Sequence, residues 1–359
     1  MVDFFSGCVA PASTQLYYMY SVGIIGATGA VGTEMLRVLE QRKFPVSDLH
    51  LFASTNSVGK SLAFRGASQW IEELTDDSFE RLDIVLLSAG SEISKTWRAA
   101  ASKAGCVMID NSSAFRMEPD VPLVIPEINA SDLKGHKGVI AVPNCSTIIL
   151  LMTVAPLQQL GAIKRIVVST YQAVSGAGAW AMKELEEQTR LFLRGEAIEP
   201  MILPHPIAFN LFVHNSAINE AGYNGEEWKM IHETRKILHN DSLPVTATCI
   251  RVPVFRAHSE SINIEFEGER PSVEAIRDAL ENYPGVKVVD NREGNYFPMP
   301  KDAAGQYDVL VGHIRHDVSN PHAVDLFASG DQLLKGAALN AVQIAECLIE
   351  QGLHPKAKV

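Results

Sequence analysis

Two short stretches of this chain carry side chains suited to chemistry on a carbonyl group. The run Val142-Pro143-Asn144-Cys145-Ser146-Thr147 places a thiol among polar neighbours where an apolar strand gives way to an apolar helix. A thiol at a helix N-terminus faces the positive end of the helix dipole, which favours the thiolate needed for covalent catalysis. Cys106, Cys249 and Cys347 sit in apolar or strand contexts and read as small buried hydrophobes, while Cys8 precedes the first recognisable strand. In the second stretch, Arg251-Val-Pro-Val-Phe-Arg-Ala-His258-Ser-Glu, a strand turns into the next one. Arg251 and His258 can face one cleft there, and His258 is the candidate base to pair with the thiol.

A third stretch points to a nucleotide. Val22 to Gly32 reads VGIIGATGAVG, with Gly26, Gly29 and Gly32 spaced as G-x-x-G-x-x-G. Without Cβ atoms the turn can be tight and its backbone can approach a pyrophosphate, which the following helix N-terminus attracts. The turn follows a strand and opens the first βαβ unit, the context a dinucleotide site needs. The end of the second strand reads Ala53-Ser54-Thr55-Asn56-Ser57, with Lys60 nearby. It holds no acid to repel a 2′-phosphate, which favours NADP, although no Arg is present to fix the choice.

The elements that must position these groups fall into two halves. In the first, strands at Val22–Ile25, Leu49–Ala53, Ile84–Leu87, Val107–Ile109 and Val139–Val142 alternate with helical patterns at Ala30–Gln41 and Ile93–Lys103. Such alternation predicts an α/β, Rossmann-like parallel sheet with helices on both faces. The second half has longer strands closer together, at Arg165–Gln172, Val245–Val254, Ser261–Glu267, Val309–Arg315 and Ala323–Ala328. Helices are predicted at Trp180–Leu193, Glu226–Leu238 and Val273–Glu281, making an α+β unit with a mixed sheet. The expected division is an extension over 1–20 without a role in the fold, a dinucleotide-binding domain over 21–146 and a catalytic and dimerisation domain over 147–331. Residues 332–359 are expected to form a C-terminal helix returning to the first domain.

Composition narrows the function classes. Among 359 residues, 31 Lys and Arg against 42 Asp and Glu give a net charge of −11. That balance argues against a nucleic-acid binder and gives no reason for attraction to anionic lipid. No apolar run approaches the roughly 18 residues of a membrane span. Five scattered cysteines do not form a disulfide framework and point to a reducing cytoplasm.

Taken together, the motifs resemble the aspartate-semialdehyde dehydrogenases. The resemblance runs from about Tyr20 to the C-terminal helix. It rests on GATGAVG from Gly26, DNSSAFRM from Asp110, VPLVIPEIN from Val121, PNCST from Pro143, STYQAVSGAG from Ser169, RVPVFRAHSE from Arg251 and KGAALNAVQIAE from Lys335. It implies that Cys145 is the nucleophile, that His258 is the acid/base, and that Gln172 orients the substrate and thioester. Arg251 would pair with the substrate α-carboxylate and Glu226 with its α-amino group, Glu226 rather than Glu227 because the family pattern is Glu-x-x-Lys. Arg116 and Lys229 would bind phosphate, with Asn144 lining the same pocket. Gly26, Thr28, Gly29, Ala30 and Val31 would hold the pyrophosphate, Asn56 and Ser57 would lie by the 2′-phosphate, and Ser175, Gly176 and Asn340 would contact the nicotinamide half. Many relatives carry Arg where this chain has Asn56.

The implied reaction is NADPH-dependent conversion of L-4-aspartyl phosphate to L-aspartate 4-semialdehyde, with phosphate released, in lysine, threonine, methionine and isoleucine biosynthesis. No metal is implied. A homodimer is expected, or a dimer of dimers, because a second-domain sheet face needs cover. The nearer rival is N-acetyl-glutamyl-phosphate reductase; Glu226 with Arg251 suits a free amine and a free carboxylate better than an acetylated amine. A non-catalytic NADP-binding sensor would have to dispense with Cys145 or His258.

Overall fold

The computed structural model describes residues 19–354, so the expectation of an extension over 1–18 lies outside the described residues. Two seven-stranded sheets share one continuous apolar core. The first contains β1 (Tyr20–Ile25), β2 (Val46–Phe52), β3 (Ser61–Phe64), β4 (Ala67–Glu72), β5 (Ile84–Leu87), β6 (Val107–Asp110) and β7 (Val139–Ala141), in the order β3-β4-β2-β1-β5-β6-β7. All its pairings are parallel except the β3–β4 hairpin. Helices α1 (Ala30–Gln41) and α2 (Ser91–Ala104) make the first crossovers, and the short α3 (Pro126–Asn129) precedes β7. The order reverses between β1 and β5, the switch point where open α/β sheets bind ligands beyond their strand ends.

β1 begins at Tyr20 rather than Val22, and Tyr20 is buried against Phe44 and His354. Tyr20 therefore belongs to the sheet and not to an extension. Its ring covers the end of the core that the sequence pattern leaves open.

The second sheet runs β12-β13-β14-β11-β8-β10-β9. It contains β8 (Ile163–Gln172), β9 (Phe212–Val213), β10 (Val245–Arg251), β11 (His258–Phe266), β12 (Val286–Val288), β13 (Val309–His316) and β14 (Ala323–Gly330). β8 is parallel to β10 and antiparallel to β11, so the sheet is mixed. Helix α4 (Cys145–Val154) is apolar on every side and wholly buried after Cys145, as a helix between two layers must be. The remaining helices are α5 (Ala179–Leu193), α6 (Gly225–Ile237), α7 (Val273–Glu281), α8 (Pro300–Ala303) and α9 (Leu339–Glu350). A single C-terminal helix from Gln332 was expected; instead a π-helical turn over Leu334–Ala338 leads into α9. α9 then packs on α1, β5 and β6.

Candidate functional site

The strands deliver their chemistry at their ends. β7 stops before Pro143, and Asn144 caps α4 by accepting from the Ser146 and Thr147 amides at 3.0 and 3.3 Å. That cap sets Cys145 at the first helical position. β8 and β10 run parallel, so Gln172 and Arg251 are register partners at their common C-terminal ends. His258 opens β11, on the antiparallel neighbour of β8. Four elements, α4, β8, β10 and β11, thus converge on a cavity of about 470 Å³ lined by Cys145, Gln172, Arg251 and His258.

Helix α6 brings the charges. Asn224 caps it with a reciprocal bond to Glu227, and Glu226, Lys229 and Glu233 share the inward face at helical spacing. Glu226 accepts from Asn144 Nδ2 at 2.8 Å, Gln172 Nε2 at 3.2 Å and Lys229 Nζ at 3.0 Å. Burial opposes its charge, but Lys229, His214 and Asn144 more than offset this and bring the carboxyl down to about 2. Glu227 turns away, accepting from the Asn224 and Cys249 amides. Of the two neighbouring acids, only Glu226 lines the cavity.

Two guanidiniums reach the same space. Arg116 Nη1 donates to Glu233 at 3.0 Å and its Nη2 to the Asn111 carbonyl at 2.8 Å. Arg251 Nη1 donates to the Ala173 carbonyl at 2.9 Å. In each, Nε–H is buried without a partner among the described residues. A buried charged donor left open is costly, and both bound this cavity, so an anion is the partner their chemistry calls for. Lys236 fixes the Arg116 loop by donating to the carbonyls of Arg116, Glu118 and Val121.

The thiol behaves differently from the sequence expectation. Burial, followed by the charge of Glu226, pushes Cys145 up to about 12, against the lowering effects of Arg116, Arg251 and the Ser146 amide. Burial thus outweighs the helix N-terminus and the two guanidiniums at this thiol. The other described cysteines are raised as well, chiefly by burial, which fits their reading as packing groups.

The glycine turn has the shape that a pyrophosphate cradle requires. Gly26 has φ +87°, and a Cβ on it would stand 2.4 Å from the Ser88 carbonyl oxygen. Thr28 and Gly29 are exposed, and Gly29 caps α1 at Ala30. From this N-terminus only Val31 lines the cavity; with Ser88 across the switch point it joins the turn to Cys145. Asn56 and Ser57 lie in a single 3-10 turn after β2, away from the cavity and facing solvent in part. Ser175 and Gly176 do line it.

Asn340 does not. It is fully buried, its amide donates to the Val124 carbonyl at 2.9 Å, and its oxygen accepts from Lys335. Lys335 also reaches Glu127 and Gln343, so Asn340 serves a buried network that seats α9. The cavity position belongs to Gln332, which donates to Ser175 Oγ and accepts from the Ala257 amide at 2.8 Å. The Asp331-Gln332 pair directly after β14 was the available signal. Glu233, which also accepts from the Asn144 amide at 2.6 Å, was likewise missed, although it lies seven residues beyond Glu226 on one helix face. No group of three or more His, Cys, Asp or Glu among the described residues is arranged to hold a metal ion.

Two family models match the chain, one on each half. The semialdehyde dehydrogenase NAD binding domain family matches residues 21–136, and the semialdehyde dehydrogenase dimerisation domain family matches residues 154–335. The aspartate-semialdehyde dehydrogenase of Synechocystis sp. is 55% identical over 331 residues, covering 92% of this chain and 98% of the relative. That of Prochlorococcus marinus is 52% identical over 329 residues, covering 92% and 96%. A crystal structure of aspartate semialdehyde dehydrogenase II from Vibrio cholerae complexed with ASA superposes with a TM-score of 0.90 at 40% identity, covering 92% of this chain and 98% of that one.

Proposed function

The chain belongs to the aspartate-semialdehyde dehydrogenase family of oxidoreductases, and from that premise we propose that it converts L-4-aspartyl phosphate to L-aspartate 4-semialdehyde with NADPH, reversibly, through a thioester on Cys145. The observation that carries the reading is the cavity itself: its thiol shares the space with two guanidiniums, Arg251 and Arg116, and with Glu226 paired to Lys229 at 3.0 Å. A substrate bearing an α-carboxylate, an α-ammonium and a phosphate supplies an anion for each guanidinium and a cation for the carboxylate.

Arg251, with Nε–H open, takes the α-carboxylate side-on, and Glu226, ionised by its neighbours, takes the α-ammonium. Arg116 and Lys229 hold the phosphate. Cys145 Sγ attacks the acyl carbon and phosphate departs toward the two cations. Gln172 orients the thioester from the end of β8, and His258 faces its oxygen. The Cys145 amide, at the first position of α4, adds a donor for the oxyanion. The α1 N-terminus from Gly26 to Val31 fits the pyrophosphate, Asn56 and Ser57 are assigned to the 2′-phosphate, and Ser175, Gly176 and Gln332 to the nicotinamide side. Bound NADPH supplies the hydride that reduces the thioester.

The same reading gives a homodimer through the apolar surface of α5 and the segment after it. Leu193, Met201 and Phe209 are 74%, 86% and 62% exposed there. It also gives a cytoplasmic enzyme of the pathway to lysine, threonine, methionine and isoleucine; no described helix is long and apolar enough to cross a membrane. The test is phosphate-dependent reduction of NADP+ with aspartate semialdehyde, run beside NAD+ and beside N-acetyl-glutamate semialdehyde. Turnover that needs phosphate and prefers the free amine and NADP+ supports the proposal; preference for the acetylated substrate rejects it.

A further inference from the structure

We propose that Glu260 and Thr170 hold an internal water molecule beneath the cavity, and that this water positions Gln172 by donating to its Oε1. The observation is a set of buried polar atoms left open on one face of the second sheet. Oε1 and Oε2 of Glu260, Oγ1 of Thr170 and Oε1 of Gln172 are all buried without a hydrogen-bond partner among the described residues. Glu260 and Thr170 have no exposed surface, and Gln172 has almost none. Buried polar groups in native proteins are paired, and ordered water is the usual partner where side chains and backbone supply none.

Strand register puts the four atoms together. Glu260 on β11 is the register partner of Thr170 on β8, and Thr170 is that of Cys249 on β10. Side chains two residues apart point to the same face of a strand, so Thr170 lies one row below Gln172 and Glu260 one row below His258. The next row down, Ala247, Val168, Ile262 and Leu326, is apolar and buried throughout. Polar side chains thus enter this face one row before the cavity begins, where packing alone calls for Val or Ile. Cys249 and Ala328 flank the pair, and both are small, which leaves room beside the carboxyl. Successive rows stand roughly 6.6 Å apart. That is further than a direct bond reaches and close to what one water spans with two bonds of about 2.8 Å.

The donors and acceptors match. Glu260 has no ion-pair partner among the described residues, and burial pushes its carboxyl well above the usual carboxylate range. A protonated carboxyl has one O–H to give. The water accepts it and donates its own two hydrogens, one to Thr170 Oγ1 and one to Gln172 Oε1. Three bonds are the ordinary complement of a buried water. The other end of the Gln172 amide is already engaged: Nε2 donates to Ser146 Oγ at 2.7 Å and to Glu226 Oε1 at 3.2 Å. With Oε1 held from below, the amide has one orientation, since the reverse would set its oxygen against the Glu226 carboxylate. That Gln172 then orients the thioester rests on the functional reading above; the water site does not.

Three measurements on the full chain test this. A crystal structure at a resolution that orders water should show density within hydrogen-bond reach of Glu260, Thr170 Oγ1 and Gln172 Oε1; a carboxyl bonded directly to Thr170 or Gln172 overturns the proposal. The infrared difference between the unaltered protein and Glu260→Gln at neutral pH should contain the carbonyl stretch of a protonated carboxyl, and carboxylate bands in its place overturn it. Glu260→Gln keeps an uncharged donor for the water, whereas Glu260→Leu combined with Thr170→Val removes both polar groups and refills the row. The Gln variant should keep a kcat at least about tenfold above the Leu/Val variant, the scale on which misplaced groups act. The Leu/Val variant should hold its melting temperature, because replacing both partners by apolar groups of like shape is nearly neutral. Equal kcat in the two variants, or a melting temperature that falls while kcat holds, overturns the positioning role. Absence of phosphate-dependent turnover in the unaltered enzyme would instead reject the functional reading, while the density and the infrared band would still report the water site.

Discussion

At Cys145 opposing fields meet: the helix start, Arg116 and Arg251 favour the thiolate, and desolvation with Glu226 disfavours it. Desolvation is the largest of these influences, so alkylation of Cys145 by iodoacetamide should be slow at neutral pH. Because only the thiolate reacts, the rate should climb about tenfold per pH unit and show no plateau below about pH 10. A plateau near pH 8, followed by mass spectrometry of the Cys145 peptide, would show that the cations dominate instead. The receptors around the thiol make a second prediction. Arg251→Lys keeps the charge but loses the planar fork, so it should cost about ten- to a hundredfold in kcat/KM for aspartate semialdehyde while leaving the KM for phosphate nearly unchanged. Lys229→Ala should chiefly raise the phosphate KM. The opposite pattern in the two KM values would mean that the substrate lies the other way round.

Elements bring these residues together by where they end, and the least regular of them lies nearest the thiol. In the π-helical turn over Leu334–Ala338, a Cβ on Gly336 would stand 2.9 Å from Cys145 Cβ. π-Helical turns often mark functional sites, and this one lets the C-terminal segment close on the thiol. Gly336→Ala should therefore cut kcat by more than about tenfold, as a misplaced reacting group does. The loss of melting temperature should be modest, because the backbone there is not left-handed. Unchanged kcat would mean that the turn yields without moving Cys145. The π turn was not legible in the sequence, since its residues have the apolar spacing of an ordinary helix. The regular helices were: α1 and α7 lie where apolar periodicity and caps put them. The β3–β4 hairpin was missed because it lies at a sheet edge, half of its strand residues are exposed, and its apolar alternation is confined to Leu62 and Phe64. Its turn is Arg65-Gly66, with φ +50° and +78°, rather than the Asn-Gly pair that announces such turns. Much of the candidate site was legible because glycines, a capped thiol and an Arg-to-His spacing are local signals. Glu233 and Gln332 were not, because their importance arises from contacts across 89 and 75 residues of sequence.

Over the whole molecule, the two sheets are tied by Arg256, which bridges Glu34 on α1 at 2.6 Å and Asp331 beside Gln332 at 2.7 Å. The nucleotide-side helix and the C-terminal segment are thereby held to the strand pair that carries His258. What a single chain leaves uncovered is the outer surface of α5. Phe192 and Phe209 pack there in a tilted pair with ring centres 4.5 Å apart, and both are more than half exposed. The surface is nonetheless firmly built. Glu184 accepts the amides of Met201, Ile202 and Leu203, and Gln188 accepts those of Ile207 and Ala208, so the segment keeps its shape while it shows apolar groups to solvent. A rigid apolar surface of this kind suits a two-fold interface, in which each residue meets the same patch on its partner and every substitution counts twice. The unaltered protein should have twice its chain mass of 39.2 kDa by light scattering. Leu193→Asp combined with Phe209→Asp sets four carboxylates into that interface and should yield monomer at micromolar concentration, with the far-ultraviolet spectrum unchanged because neither side chain belongs to the buried core. A double variant that keeps the dimer mass would place the interface elsewhere, and the exposed aromatic pair would then need another partner.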